Sequence, residues 1–267
     1  MNRIEQRFAT LRASGTRAFI PYITAGDPTL ARTADLIVEL DRAGADVIEL
    51  GIPFSDPIAD GPVNQEAALR ALKHRVSLHD VVDMVREVRD RTEAGLVLFT
   101  YYNPVLAYGV ETFANDAAAA GVDGVLCVDL PPEESEEYKK LLDAHGIATI
   151  FLLAPTSTEE RIALVAERCS GFIYYVSRTG VTGARAEVEQ SVHGMVDAIR
   201  RCTDKPVAVG FGVSTPEQVR EIAEYADGII VGSAIVSRIG ELGDARDMPQ
   251  TIGAFVKTLA DAAKSVK

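Results

Sequence analysis

The segment Ala43-Gly-Ala-Asp-Val-Ile-Glu-Leu-Gly51 joins a helix-ending turn to a short apolar strand. Glycine readily ends a helix, and the aliphatic, β-branched run that follows is typical of a strand buried in a parallel sheet. The same order of turn and strand recurs along the chain. The repeats are 120–128, 145–153, 170–176, 204–210 and 225–232.

Two further apolar runs, 18–23 and 96–101, bring the number of predicted strands to eight. Helical patterns such as 30–43, 133–145 and 216–225 separate them. Eight strand and helix units predict an α/β protein, a single (β/α)8 TIM barrel with extra helices, in one domain over residues 1–267. The alternative is a doubly wound open sheet, but the chain carries neither a glycine-rich dinucleotide motif nor a lysine-bearing P-loop.

The composition limits the possible partners and the compartment. A formal net charge of -12 argues against nucleic acid or an anionic membrane as the main partner, so an anionic substrate needs a local positive site. Cys127, Cys169 and Cys202 are odd in number and widely spaced, which is typical of reduced thiols in a core. Without a membrane-length apolar run, the sequence predicts a soluble, cytoplasmic protein.

Two carboxylates mark the exit of the second predicted strand. Glu49 interrupts the apolar run, where burial would raise its pKa, and Asp60 lies on the Pro- and Asp-rich loop that follows. The structural alternative is that Glu49 pairs with an arginine and Asp60 caps the helix beginning near Pro62. Barrel active sites lie at the carboxyl ends of the strands, so the placement favours acid–base catalysis.

Three glycine-bearing loops follow strands six, seven and eight. They are 177–185, 210–216 and 231–234. Each turn alone could serve tight packing, but three on one barrel face predict a phosphate site, because glycine lets backbone N–H groups approach the oxygens. The loop at 177–185 also mixes hydroxyls and arginines, as a mobile lid over a phosphate would.

Covalent-imine and metal-assisted chemistry are disfavoured by the positions of lysine and histidine. No lysine falls where a Schiff base would form, and the four histidines lack metal-ligand spacing. Carboxylate catalysis on a small phosphorylated substrate remains. The aromatic residues near strand exits are candidate pocket walls, with ordinary core filling as the alternative: Tyr22, Tyr101, Tyr102, Tyr175 and Phe211.

Longer motifs cover almost the whole chain. They are 21–28 (PYITAGDP), 49–62 (ELGIPFSDPIADGP), 101–104 (YYNP), 177–183 (SRTGVTG), 210–219 (GFGVSTPEQV) and 232–236 (GSAIV). In these motifs and their order the chain resembles the tryptophan synthase alpha subunit family. The resemblance implies a carbon–carbon lyase that splits indole-3-glycerol phosphate into indole and glyceraldehyde 3-phosphate.

The resemblance also implies roles for individual residues. Glu49 would be the general acid–base, and Asp60 would hold the indole N–H and stabilise positive charge on the ring. The family's phosphate site maps onto Gly183, Gly212, Gly232 and Ser233. Its indole and glycerol pocket maps onto Tyr22, Thr100, Tyr102, Leu126, Tyr175, Thr182 and Phe211. Tyr22 stands where some members carry Phe, which adds a hydroxyl near the pocket.

A partner is implied as well, a pyridoxal-phosphate-dependent beta subunit in an αββα complex that receives indole through a tunnel. This chain would hold no cofactor and no metal. The docking face would include Asp56, Pro57, Asn103 and Pro104, and docking would order the segments 53–62 and 178–189. The alternatives are a stand-alone lyase that releases free indole, a phosphosugar isomerase or another indole-pathway barrel, and a non-catalytic regulatory subunit.

Overall fold

The computed structural model describes residues 2–177, 185–210 and 212–266, and it describes side chains in 185–202 from Val192 onward. Within these ranges the strands form one sheet in which all pairings are parallel, in the order β5-β4-β3-β2-β1-β9-β8-β7-β6. The strands are β1 Ala18–Thr24, β2 Val47–Gly51, β3 Gly95–Thr100, β4 Gly124–Cys127, β5 Ala148–Ile150, β6 Leu152–Leu153, β7 Ile173–Val176, β8 Val207–Gly210 and β9 Gly228–Val231.

The barrel closes through the fifth predicted strand, which is split at Phe151. Its first half, β5, pairs with β4, and its second half, β6, pairs with β7. The backbone N–H of Tyr174 donates to the carbonyl of Phe151 at 3.1 Å and bridges the break. The prediction of a (β/α)8 barrel is therefore confirmed, with eight barrel positions occupied by nine strand segments.

Twelve helices lie around the strands in the described residues, and all but the first and the last two connect strands that follow one another in the chain. They are α1 Arg3–Ser14, α2 Leu30–Arg42, α3 Pro62–Leu72, α4 Leu78–Val88, α5 Tyr102–Tyr108, α6 Val110–Ala120, α7 Glu136–Ala144, α8 Glu159–Arg168, α9 Arg185–Cys202, α10 Pro216–Ala223, α11 Ser233–Leu242 and α12 Met248–Lys264. The predicted helix 133–145 begins one residue early as the 3-10 turn Pro132–Glu134. In the described ranges, none of the helices combines the length and apolarity that a bilayer crossing requires.

Helix α1 closes the amino-terminal end of the barrel. Ile4, Phe8 and Leu11 pack with inward-facing strand residues in one buried cluster. A Cβ at Gly95 or Gly124 would lie 3.0 Å from the Ile4 side chain, closer than most side-chain contacts. These two glycines therefore let Ile4 fill the centre of the barrel floor, and the open end is the carboxyl end of the strands.

The buried residues form an inner and an outer shell, because successive side chains of a strand point to opposite faces. The outer shell, between the strands and the helices, contains Cys127 and Cys169. Cys202 is exposed at the end of α9, so the prediction of core thiols is wrong for this residue. The inner shell is apolar toward α1 and becomes polar toward the carboxyl ends, where Glu49 lies.

Candidate active site

Glu49 lies in the centre of β2, opposite Tyr22 on β1 and Val97 on β3. Its side chain is fully buried, and neither carboxyl oxygen has a hydrogen-bond partner among the described residues. Burial raises its pKa from 4.5 to about 8. The predicted rise in pKa is confirmed, and the alternative of pairing with an arginine is not observed in the described part of the chain. A carboxyl group with this pKa carries a proton at neutral pH and can donate it.

Asp60 lies on the β2–α3 loop and is hydrogen-bonded to Tyr101. The Tyr101 hydroxyl donates to Asp60 Oδ2 at 2.9 Å, and the backbone N–H of Ala59 donates to the same hydroxyl at 2.9 Å. Burial raises the pKa of Asp60, while the hydrogen bond from Tyr101 and the nearby Asn64 side chain oppose the rise. The N-cap of α3 is Gly61, so the alternative that Asp60 caps this helix is wrong.

Tyr22, which pairs with Glu49 across β1 and β2, is close enough to both carboxylates for their charges to act on its hydroxyl. Burial raises its pKa well above the ordinary value, and the charges of Asp60 and Glu49 raise it further. Its ring meets Phe99 edge to face at 5.4 Å between centroids. A Cβ at Gly51 would lie 2.0 Å from the Tyr22 hydroxyl, so a tyrosine in this orientation requires glycine there. Glu49 and Asp60 thus belong to one site.

A cavity of about 300 Å³ lies beside Tyr22, and neither Glu49 nor Asp60 is among the residues that line it. Gly212, Gly232 and Ser233 line one part of it, and the start of α3, from Gly61 to Asn64, lines another. The remaining walls are mostly aromatic or aliphatic: Tyr22, Phe99, Tyr174 and Ile230. Of the predicted residues, Tyr22, Gly212, Gly232 and Ser233 are therefore brought together around one space.

Beside this cavity, the backbone N–H groups that are available to an anion are those at the start of α11 rather than those at the start of α10. Thr215 and Gln218 form a capping box on α10, which uses its amino-terminal N–H groups. Helix α11 follows Gly232, and no side chain in the described ranges caps its first turn. Uncapped N–H groups and the positive end of the helix dipole attract phosphate oxygens.

Thr100 and Tyr102, at the end of β3, were predicted to line the pocket, and for both the prediction is wrong because side chains alternate between the two faces of a strand. Thr100 points into the outer shell, where it is fully buried, and Phe99 faces the cavity instead. The Tyr102 ring packs edge to face on Tyr138 at 5.6 Å, outside the cavity, whereas Tyr101 reaches Asp60. Counting in twos along β3 from Val97, which pairs with Glu49, would have identified Phe99.

The prediction that Tyr175 lines the pocket is wrong for the same reason. It is fully buried in the outer shell, and its neighbour Tyr174 lines the cavity. Burial raises the pKa of Tyr174, and the Glu49 charge adds to this rise. Two adjacent tyrosines cannot be separated by residue type, only by the alternation of the strand. Leu126, by contrast, lies in the inner shell.

The remaining predicted residues fall outside the cavity or outside the described residues. Thr182, Gly183, Phe211 and the segment 178–184 are not described. Asp56 and Asn103 are exposed on the carboxyl face, and Pro57 and Pro104 are partly exposed. Beside them, Ile58 is 87% and Leu106 is 51% exposed. Sequence reasoning missed these two apolar side chains, which are the unusual feature of this face.

Replacing Tyr101 by Phe is expected to lower kcat/KM up to about tenfold at neutral pH, if Asp60 acts as a carboxylate. The Tyr101 hydroxyl lowers the pKa of Asp60, so its loss raises that pKa further. The acid limb of the kcat/KM profile should move to higher pH. The matched control is Tyr102→Phe, which removes the adjacent hydroxyl. Equal profiles for the two variants would contradict the assignment.

Comparison with known proteins gives a consistent result. A family model described as tryptophan synthase alpha chain matches residues 8–264. The tryptophan synthase alpha chain of Geobacter sulfurreducens is 53% identical over 262 residues, 98% of this chain and 99% of the relative. A crystal structure of tryptophan synthase subunit alpha from Legionella pneumophila superposes with a TM-score of 0.91 at 39% identity, over 100% of both chains. A chain of M. tuberculosis tryptophan synthase in the aminoacrylate-bound form gives 0.88 at 35% identity, again over 100% of both.

Proposed function

The chain belongs to the tryptophan synthase alpha chain family, and on that premise we propose that Glu49 and Asp60 carry out its reaction. The chain is a carbon–carbon lyase of tryptophan biosynthesis that cleaves indole-3-glycerol phosphate to indole and glyceraldehyde 3-phosphate. The observation that carries the proposal is the unpaired, buried carboxyl of Glu49, with its pKa near 8, beside a cavity with an uncapped helix terminus.

Glu49 serves as both acid and base in one cycle. Its proton moves to the indole carbon that bears the side chain, and the resulting carboxylate accepts the proton of the adjacent hydroxyl. The carbon–carbon bond then breaks, its electron pair returns to the ring, and the hydroxyl carbon becomes the aldehyde of glyceraldehyde 3-phosphate. Glu49 ends protonated as it began. A pKa close to the working pH suits both transfers.

Asp60 stabilises the intermediate in which the ring carries positive charge. Its carboxylate accepts a hydrogen bond from the indole N–H, and Tyr101 and Ala59 hold the loop that presents it. Both contacts connect residues on different strands and loops, so the carboxylate is placed before the charge develops. Such preorganised groups contribute strongly to catalysis because they need no rearrangement during the reaction.

The phosphate and the indole ring of the substrate bind in different parts of the cavity. The phosphate binds backbone N–H groups at Gly212, Gly232 and Ser233, with Gly183 from the loop after β7. The indole lies among Tyr22, Phe99 and Tyr174, and Thr182 and Phe211 complete the family's pocket. The described walls are apolar and aromatic, as a flat ring requires.

The name alpha chain implies a beta subunit as partner. We propose an αββα assembly in which pyridoxal phosphate is bound only by the beta subunit, in the cytoplasm. The docking surface comprises Asp56, Pro57, Asn103 and Pro104. The exposed side chains of Ile58 and Leu106 support this assignment, because burying apolar side chains in an interface is favourable.

The test is steady-state cleavage of indole-3-glycerol phosphate by the purified chain, alone and with a beta subunit and serine. We expect slow cleavage alone and a marked rise with the partner, because docking closes the loops over the substrate. Fast cleavage without a partner would indicate a stand-alone lyase that releases indole. Absence of cleavage in both settings would overturn the proposed reaction.

A further inference from the structure

Helices α3 and α11 both present their amino-terminal ends to the cavity. Asp60 lies two residues before the start of α3, and the uncapped N–H groups that attract the phosphate belong to α11. Beside the cavity, Ala67 of α3 and Val236 of α11 lie in one small buried cluster with Tyr22. The spacing between Asp60 and the phosphate site therefore depends on how these two helices are held together.

Arg70 holds α3 to the loop that follows β1. Its Nε and Nη2 atoms donate to the two carboxyl oxygens of Asp27, each at 2.8 Å. The Asp27 side chain is only 2% exposed, and a buried carboxylate needs such a partner. The loop is itself fixed to the sheet, because the backbone N–H of Ala25 donates to the carbonyl of Gly51 at 2.9 Å. The ion pair thus attaches α3 to the barrel.

The same guanidinium lies against α11 at Gly240. A Cβ at this position would lie 2.8 Å from Arg70 Nη2 and 3.2 Å from Arg70 Cζ, closer than side chains normally approach. Glycine in the interior of a helix is less stable than alanine, so its presence in α11 indicates close packing. The arginine cannot swing away from α11 without breaking its pair with the buried Asp27. Arg70 therefore sets how closely α3 approaches α11.

We propose that Arg70 is a positioning residue: held between Asp27 and Gly240, it matches the spacing of Asp60 and the phosphate-binding start of α11 to the length of the substrate. This inference rests on the proposed function, in which one ligand spans both groups. A bridging ligand gains affinity because its second half binds without a further loss of translational and rotational freedom, and this gain requires the correct spacing. A shift of the helices should therefore weaken a bridging ligand far more than either of its halves.

The experiment compares the binding of a bridging ligand with that of its two halves. The bridging ligand is indole-3-propanol phosphate, which carries indole and phosphate on one unreactive chain, and the halves are indole and glycerol 3-phosphate. Arg70→Lys keeps the positive charge beside Asp27 but loses the bidentate bond and the contact with α11. It is expected to raise the Kd of the bridging ligand about tenfold and to change the Kd of each half less than about twofold. NMR titrations of the purified chain measure all three constants.

Gly240→Ala tests the same contact from the side of α11. The added methyl group displaces the guanidinium, so we expect the same pattern of Kd values. In the Arg70→Lys background the alanine should have little further effect, because the contact is already lost. If Arg70→Lys does not fold, Gly240→Ala alone provides the comparison.

The matched control is Arg161→Lys, which changes a surface arginine of α8 that donates to Glu133 at 2.7 Å. It should leave all three Kd values unchanged. Equal weakening of the bridging ligand and its halves by Arg70→Lys would mean that the arginine only supports the fold. That result, or no weakening at all, would overturn the inference and leave the lyase assignment intact. Failure of the wild type to bind the bridging ligand would instead overturn the proposed function, and the inference with it.

Discussion

Glu49→Gln is expected to lower kcat for cleavage of indole-3-glycerol phosphate by about 10²- to 10⁴-fold, the usual contribution of a general acid–base. Glutamine has nearly the same shape but can neither release a proton to the indole carbon nor accept one from the hydroxyl. The phosphate-binding backbone is untouched, so KM should change little. Steady-state kinetics at pH 7, with and without the partner, measure both constants. Turnover within a factor of a few of the wild type would contradict the assignment.

The same variant has a second, independent readout in its stability. Burial raises the pKa of Glu49 from 4.5, the ordinary value of a glutamate, to about 8 in the fold. Between these values the native state keeps a proton that the unfolded state releases, so the free energy of unfolding falls as pH rises, by at most about 1.4 kcal/mol per pH unit. Glutamine carries no such penalty.

Denaturant unfolding of the two proteins across pH 4 to 8 separates this effect from other changes. The Gln variant should gain stability relative to the wild type as pH rises through the window. A constant difference between the two curves would mean that Glu49 is not held protonated by burial. A catalytic defect with this stability gain excludes misfolding as the cause of lost turnover.

The strands and the two carboxylates were predictable because each depends on local sequence. A turn followed by β-branched residues specifies a buried strand wherever it occurs, and Glu49 stands out within such a run. The strand order and the barrel closure follow from the repeat. The break at Phe151 could not be predicted, because the run Ile150–Leu153 is continuously apolar and does not show where the strand changes its partner from β4 to β7.

The prediction of the pocket walls was wrong where neighbouring residues have similar chemistry. Tyr101 and Tyr102, and Tyr174 and Tyr175, differ only in which side of the backbone they occupy. A shift of one residue exchanges the inner and outer shells, so residue type alone could not separate the members of each pair.

Contacts between residues far apart in the sequence could not be predicted from local sequence patterns. The hydrogen bond from Tyr101 to Asp60 spans 41 positions. The bidentate pair of Arg70 with the buried Asp27, at 2.8 Å for both bonds, fixes α3 against the loop after β1. For neither contact does the local sequence indicate which two residues pair. These contacts nevertheless decide how the α3 end of the cavity is held.

Asp60→Asn is expected to lower kcat by about 10²- to 10³-fold, the loss that removing one preorganised electrostatic group typically causes. The amide oxygen can still accept hydrogen bonds from Tyr101 and from the indole N–H, so geometry and binding are kept. Only the negative charge is lost, and it matters when the ring becomes positive. The defect should therefore appear in kcat far more than in KM.

A matched control separates this charge effect from the loss of a carboxylate in general. Asp116 also accepts a hydrogen bond from a tyrosine hydroxyl, that of Tyr108, at 2.9 Å, but on α6 and away from the cavity. Asp116→Asn should leave kcat unchanged, whereas Asp60→Asn lowers it at every pH. If the Asp60 variant instead lost binding and kept kcat, the carboxylate would hold the substrate without stabilising the transition state. Because proton transfer at Glu49 creates the ring charge that Asp60 neutralises, the double variant should lose less than the product of the two single losses.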